Sequence, residues 1–446
     1  MRFYDREKEK KTIISFARKT DRARIVVLTG RRRIGKTRLL LELFGEDALY
    51  LFTKKKSYIE LIKEWSEILR EYLGFQGWFR SVEEMMNYIL DTGKNKRIVV
   101  IFDEIQNLYF SKPSAFGEIQ KVFDTKKEKS KVLLIFTGSV FSLMEKIFQD
   151  KKEPLFGRAS EIMELKPLPV YSLENVLQDY GIFSGENLLH LFSITGGIPY
   201  YIEELMEVKG KSFKEKLKSI IVERDLFWEE GENLLKGEMG KEYSVYFSIL
   251  SAIAKGKRTR SEISQFTGIK ELGGYISSLE KTFKLIEKRI PVLKKPQSKL
   301  ARYYIKDNFL DFWFSLVEKY SFYREIGRKE KAFNLLWKEL PSFEGKKLEN
   351  LVFKKIIEES TVDFNFDKAG GYWDRKGRIE VDLLLINSLE KIAIAFEIKR
   401  NRQKISARKI KELEKLNETI GELKHYKIIP AIGYLTPKGV SIEIGF

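Results

Sequence analysis

Residues 30 to 37 read Gly-Arg-Arg-Arg-Ile-Gly-Lys-Thr, directly after the apolar run Arg24–Thr29 and directly before a helical stretch. No other feature limits so sharply what the chain can fold into. The spacing Gly-x-x-x-x-Gly-Lys-Thr uses Gly30 and Gly35 to turn a loop of backbone N–H groups onto phosphate oxygens. Lys36 then reaches the β and γ oxygens, Thr37 offers its hydroxyl to Mg²⁺, and the helix starting there adds its positive end. Arg31, Arg32, Arg33 and Ile34 fill the variable positions, and Arg38 follows inside the helix. Segment 30–38 is therefore expected to bind the nucleotide, with ATP and Mg²⁺ as cofactors.

Such a loop belongs to an α/β domain. Apolar runs at 48–52, 97–102, 131–136 and 162–165 alternate with helical stretches at 36–44, 57–73 and 82–92. That pattern builds a parallel sheet covered by helices on both faces. Asp103 ends one of the apolar runs and is expected to hold Mg²⁺ through water; Glu104 is placed to orient or activate the attacking water. Ser139, in Thr137-Gly138-Ser139 after the next strand, either senses the γ-phosphate or belongs to a plain strand-to-loop turn. Arg158, in Leu155-Phe156-Gly157-Arg158, is either an arginine finger in cis or in trans, or a salt-bridging surface residue.

Composition narrows the chemistry. The chain has no cysteine and two histidines, His190 and His425. Disulfides, Cys/His zinc sites and cysteine nucleophiles are excluded, and a histidine-dependent triad is disfavoured. Any metal must be held by carboxylates and phosphates, which suits a hard ion such as Mg²⁺. The net charge of +18 fits a nucleic-acid partner, or equally a well-solvated surface rich in lysine. No apolar run is long enough to span a bilayer, and the first residues lack a signal-peptide core, so a cytoplasmic protein is expected.

The set Phe3-x-x-Arg6-Glu7-x-Glu9, the phosphate loop, Phe102-Asp103-Glu104, Phe136-Thr137-Gly138-Ser139, Leu155-Phe156-Gly157-Arg158 and Gly197-Ile198-Pro199 resembles the predominantly archaeal P-loop ATPases, relatives of the AAA+ and STAND proteins. The resemblance covers about residues 1–235. It implies that Phe3 and Arg6 lie near the adenine and that Pro199 begins a lid helix over the nucleotide. The three arginines of the loop depart from the usual pattern.

Downstream, 241–306 reads as three helices (243–254, 260–266 and 269–282) and two short strands (285–289 and 302–305), the order of a winged helix. Lys270, Ser277, Ser278 and Lys281 on its third helix, Lys255, Lys257, Arg258 and Arg260 upstream, and Arg289, Lys294, Lys295 and Lys299 along the wing can contact DNA phosphates; the module can also be a protein interaction spacer. From about residue 343 the pattern is α/β again. Asp382 lies on a strand, and Glu397 and Lys399 lie two apart on the next, so the latter pair share a face. Two carboxylates there can hold a divalent metal, Glu349 on the preceding helix can complete its shell, and Lys399 can stabilise or activate water. This combination resembles the PD-(D/E)xK nuclease superfamily, with Glu344 as the alternative to Glu349. Arg400, Arg402, Lys404, Arg408, Lys409 and Lys411 follow as a basic run that tracks a phosphate backbone or faces solvent.

The expected architecture is thus α/β throughout: an ATPase core over 1–170, a helical lid over 171–238, a winged helix over 239–310, a helical connector over 311–342 and a restriction-endonuclease-like domain over 343–446. Two functions follow. One is an ATPase coupled to DNA binding and metal-dependent cleavage. The other is a nucleotide-dependent switch whose silent tail recruits a protein partner. A homo-oligomer is required if Arg158 acts in trans.

Overall fold

Four uninterrupted apolar runs dictate the first sheet. Strands β1 (Arg24–Thr29), β3 (Ile98–Asp103) and β4 (Val132–Gly138) are buried along nearly their whole length, as strands covered on both faces must be. With β2 (Ala48–Phe52) and β5 (Ala159–Glu164) they form a parallel sheet in the order β2-β3-β4-β1-β5. Only β5, at an edge, alternates between half-buried and exposed residues. The core includes Trp65, Phe102, Phe136 and Phe148, with Trp65 set edge-on to Phe102 at 5.6 Å. Strand β1 has β4 and β5 as neighbours while β2 lies at the far edge. The chain therefore reverses its winding beside β1, and the crevice at such a reversal is where open α/β sheets bind ligands.

The computed structural model describes residues 1–19 and 21–445, apart from the side chains of Glu238 and Lys241. It has two compact units: residues 5–167, which contain this sheet, and residues 1–4 with 168–446.

The second unit opens with helices Val170–Asp179, Gly185–Thr195 and Pro199–Glu207. Helices Tyr243–Ala254, Arg260–Thr267 and Leu272–Ser277 follow, then a hairpin of β6 (Ile286–Arg289) and β7 (Arg302–Ile305). The helix expected at 269–282 is shorter at its start: Lys270 precedes it, and Ser278–Thr282 forms a wider π turn. The aromatic stretch 309–314 is buried. Phe309 stacks on Tyr201 at 3.9 Å, and the Trp313 indole donates to the Trp228 carbonyl at 3.1 Å. Gly231 faces the Trp313 ring where a Cβ has no room.

The unit ends in a mixed sheet ordered β12-β11-β10-β9-β8, from β8 (Lys368–Trp373), β9 (Glu380–Asn387), β10 (Ile392–Ile398), β11 (Lys427–Thr436) and β12 (Gly439–Ile444). Only β10 and β11 run parallel; the remaining pairs are antiparallel. Helix Gly345–Glu359 packs against β9 and β10, and helix Ala407–Glu414 against β10 and β11. Among the described residues no helix is long and apolar enough to cross a membrane.

Candidate nucleotide and metal sites

The phosphate loop bridges β1 and helix Lys36–Phe44. Gly30 (φ 152°) and Gly35 (φ 91°) take backbone conformations that favour glycine, and Arg33 (φ 72°) is left-handed between them. A Cβ at Gly30 would also stand 3.0 Å from the Leu165 carbonyl oxygen. Ile34 is buried and anchors the loop, whereas Arg32 and Arg38 are exposed and Arg31 is half-buried. Lys36 is buried. Its ammonium donates to the carbonyls of Gly30 at 2.9 Å and Arg31 at 3.3 Å and stands 3.9 Å from Glu104. These are contacts that phosphate oxygens can replace without moving the lysine far.

Asp103, at the buried end of β3, is held from three sides. Its Oδ2 accepts from the hydroxyls of Thr37 at 2.6 Å and Tyr50 at 2.5 Å, and its Oδ1 accepts from the Thr137 hydroxyl. Burial, and then the Asp103 carboxylate itself, hold the Tyr50 phenol well above its ordinary pKa, so it stays a donor. Spacing along the chain does not single out Tyr50. The available signal is that it carries the one hydroxyl inside the apolar strand Ala-Leu-Tyr-Leu-Phe that neighbours β3. Thr37 and Asp103 together present hard oxygens, which fits Mg²⁺.

Glu104 has left-handed backbone (φ 54°). A non-glycine residue in that region costs about 1 to 3 kcal/mol and is characteristic of functional positions. The bend takes the chain off the line of β3 and sets the carboxylate beside Lys36. Its Oε2 accepts from Ser139 at 2.6 Å and from the Gln106 amide. Ser139 thus donates to the carboxylate that is expected to handle the attacking water.

The other expected contributors have the following surroundings. Buried Arg6 donates to the Lys166 carbonyl at 2.6 Å and pairs with Glu9 at 3.4 Å, which ties the start of helix Glu7–Arg18 to the end of the first unit. Phe3 and Pro199 belong to the second unit, where Pro199 opens its helix after Gly196 and Gly197, both at positive φ. Arg158 pairs with Asp124 at 3.0 Å, as a salt-bridging residue does.

In the tail, Lys399 joins the two strand carboxylates: its ammonium lies 2.6 Å from Glu397 and 3.5 Å from Asp382. Burial opposes the Lys399 charge, but Glu397 and Asp382 outweigh it and raise its pKa. Asp382 also accepts from the Ile398 backbone N–H at 2.7 Å. Glu349 is pushed up to about 8, first by burial and then by the nearby charge of Asp382. It therefore belongs to the same electrostatic neighbourhood. Asp382 and Glu397 fit a hard divalent ion, but only if Lys399 yields its place between them. Among the described residues, the one trio of such side chains with ligand atoms all within 4.8 Å is Glu186, His190 and Glu344, so Glu349, Asp382 and Glu397 do not close to that distance.

Glu344, the alternative first carboxylate, is not part of this site. It is fully buried against His190 Nδ1 at 2.7 Å and Arg400 at 2.5 Å, and Arg400 also pairs with Glu186. A guanidinium thus already bridges both carboxylates of the trio that includes His190. The basic run is likewise largely paired: Arg402 with Glu443 at 2.9 Å, Arg408 with Glu412 at 2.9 Å, and Lys409 with Glu397 at 3.8 Å.

The Glu349 shift has a measurable sign. Between its unfolded pKa of about 4.3 and about 8, the folded protein binds more protons than the unfolded one, so this group lowers stability as pH rises through that window. Thermal unfolding from pH 5 to 9 is expected to show Glu349→Gln gaining on wild type as pH rises, then holding its advantage above pH 8. Parallel curves would mean that Glu349 is not held protonated.

Residues 3–205 match the family model described as an ATPase domain predominantly from Archaea. Residues 313–411 match a second model, described as archaeal and bacterial proteins of unknown function. An uncharacterized protein of Methanocaldococcus jannaschii is 28% identical over 411 residues, 89% of this chain and 87% of that one. Among solved structures, the Walker-type ATPase paby2304 of Pyrococcus abyssi aligns with a TM-score of 0.53 at 21% identity, covering 70% of this chain and 96% of that one. The Aeropyrum pernix ORC2 protein aligns with a TM-score of 0.42 at 12% identity, covering 75% and 94%. The phosphate loop, Asp103 and Glu104, arranged as described, all lie inside the segment that matches the predominantly archaeal ATPase domain, which supports a P-loop ATPase.

Proposed function

We propose that the chain hydrolyses ATP to drive work on DNA, with residues 243–305 acting as a winged helix and residues 343–446 as a PD-(D/E)xK nuclease-like domain. The observation that carries the reading is the Thr37–Asp103 contact at 2.6 Å beside Glu104, itself held by Ser139. Bound Mg²⁺ supplies positive charge to the phosphate oxygens. Lys36 shares that duty, Asp103 and Thr37 fix the ion's place, and Glu104 takes the proton of the attacking water. In the tail, Lys399 is placed to stabilise charge on a phosphodiester beside Asp382 and Glu397.

The test uses the full chain with single-stranded, duplex and branched DNA. ATP hydrolysis is expected to rise several-fold with DNA, and Mg²⁺- or Mn²⁺-dependent nicking to vanish in Asp382→Ala while hydrolysis continues. Hydrolysis indifferent to every DNA removes the coupling.

One observation favours the second reading, a nucleotide-dependent switch with a silent tail. The Lys399 ammonium contacts both Glu397 and Asp382, and Glu349, Asp382 and Glu397 do not all close to within 4.8 Å of one another. That reading predicts no nicking with any metal and no metal binding that Asp382→Ala abolishes.

A further inference from the structure

The β6–β7 hairpin does not project as a free wing. Its connecting loop is bound to the tail: the Val292 N–H donates to the Gly371 carbonyl at 3.0 Å, the Trp373 indole donates to the Leu300 carbonyl at 3.1 Å, and Lys294 pairs with Glu422. Val292 and Leu293 pack on the apolar cluster under the tail sheet. Lys294 is thereby removed from the set expected to contact phosphates. What the docking brings together is more informative than what it removes.

In the hairpin register Arg289 lies directly opposite Arg302, and Glu287 directly opposite Tyr304. Like charges at facing positions of an antiparallel pair are destabilising, so Arg289 and Arg302 are an unexpected choice on structural grounds alone. Two further cations converge on the same spot. The guanidiniums of Arg258 and Arg289 stand 4.4 and 4.6 Å from the Tyr304 ring centroid, and the Lys346 ammonium stands 5.6 Å from it. Arg302 lies 4.7 Å from the Trp373 ring. Arg289 is partly compensated by Glu287 on its own strand. Among the described residues, Arg258, Arg302 and Lys346 have no carboxylate within ion-pair distance, whereas the basic run of the tail is mostly paired. Burial depresses the Arg258 pKa; the charge of Asp311 opposes this, and the charges of Arg289 and Arg302 add to it more weakly.

The cluster also has a direction. Lys346 and Glu349 are three residues apart on helix Gly345–Glu359 and so share a face. The cations therefore adjoin the carboxylates of the tail. We propose that Arg258, Arg289, Arg302 and Lys346 form a phosphate-binding site for a DNA backbone, built jointly by the hairpin and the tail, which grips the strand beside Asp382, Glu397 and Lys399. This rests on the DNA reading above and assigns it a place: the face of the hairpin toward Glu349, not its tip.

The test is fluorescence anisotropy of a labelled duplex with the full-length chain at several salt concentrations. The variants are Lys346→Gln, Arg302→Gln and, as a control outside the proposed set, Lys94→Gln, each checked for wild-type thermal unfolding. Lys346 is exposed, so its replacement leaves packing intact. Each of the two site variants is expected to weaken binding about tenfold and to reduce the salt dependence by about one phosphate contact, with the control unchanged. Wild-type binding that both variants retain in full overturns the site but leaves the DNA reading standing. Failure of the wild type to bind any DNA at low salt overturns both.

Discussion

Glu104→Gln is expected to leave ATP bound at close to wild-type affinity and to slow its hydrolysis about a thousandfold, within the range that a positioned general base contributes. The argument is geometric. The carboxylate is held by Ser139 and Gln106 and stands 3.9 Å from Lys36, beside the phosphate loop but outside its ring of amides. A glutamine fills the same space and keeps the contacts to its neighbours, but it cannot accept a proton from water. Lys36→Ala is the contrasting variant. It removes the charge that faces the β and γ oxygens, and loss of ATP retention is expected along with turnover. Equilibrium binding of a fluorescent ATP analogue, run beside a phosphate-release assay, separates the two. Should Glu104→Gln turn over at the wild-type rate, Glu104 is not the base. Ser139→Ala then supplies a graded check: with the orienting hydroxyl gone, turnover is expected to fall by a smaller factor with no change in binding.

The division between what was legible in the sequence and what was not follows from the range of the interactions. Strands β1, β3 and β4 are apolar runs flanked by polar turns, and the phosphate loop lies between two of its required glycines; both are local patterns that chain order preserves. The edge strand β8 was missed because Gly370 and Gly371 interrupt it and its pairing with β9 shifts register at that point. Strand β12, Gly-Val-Ser-Ile-Glu-Ile, does alternate apolar and polar residues and is legible, but it is short and follows β11 after only two residues. Tyr50 reaches Asp103 across 53 residues, and the wing reaches the tail across roughly the same separation or more. Nothing in local spacing reports such meetings. The same limit explains Glu344. Glu344 immediately precedes the helix that carries Glu349, which makes it a candidate metal ligand by sequence, and only the fold reveals that His190 and Arg400 already surround it.

That buried arrangement makes Glu344→Ala the substitution with the largest expected effect on stability. The Glu344 side chain is wholly inaccessible, His190 nearly so, and Arg400 about four-fifths buried. His190 is packed between the rings of Phe213 and Trp337, at 5.2 and 5.3 Å, and has little freedom to find another partner. Glu344→Ala strips His190 of its buried acceptor and leaves the Arg400 guanidinium with only the partly exposed Glu186, at a cost toward the lower end of the about 3 to 5 kcal/mol that breaking a buried pair brings. Thermal unfolding of the second unit is therefore expected to shift down by about 10 °C. The alternative, that the network is replaceable packing, is excluded or established by a paired variant. Glu344→Gln with Arg400→Met removes both charges, keeps an acceptor for His190, and leaves Glu186, which is 44% exposed, to be solvated by water. If the cost of the single change comes from the stranded guanidinium, the double variant is expected to recover most of the lost stability despite carrying one more substitution. If it unfolds at the same temperature as Glu344→Ala or below it, the contacts themselves, and not the balance of charge, hold helix Gly185–Thr195 to the tail.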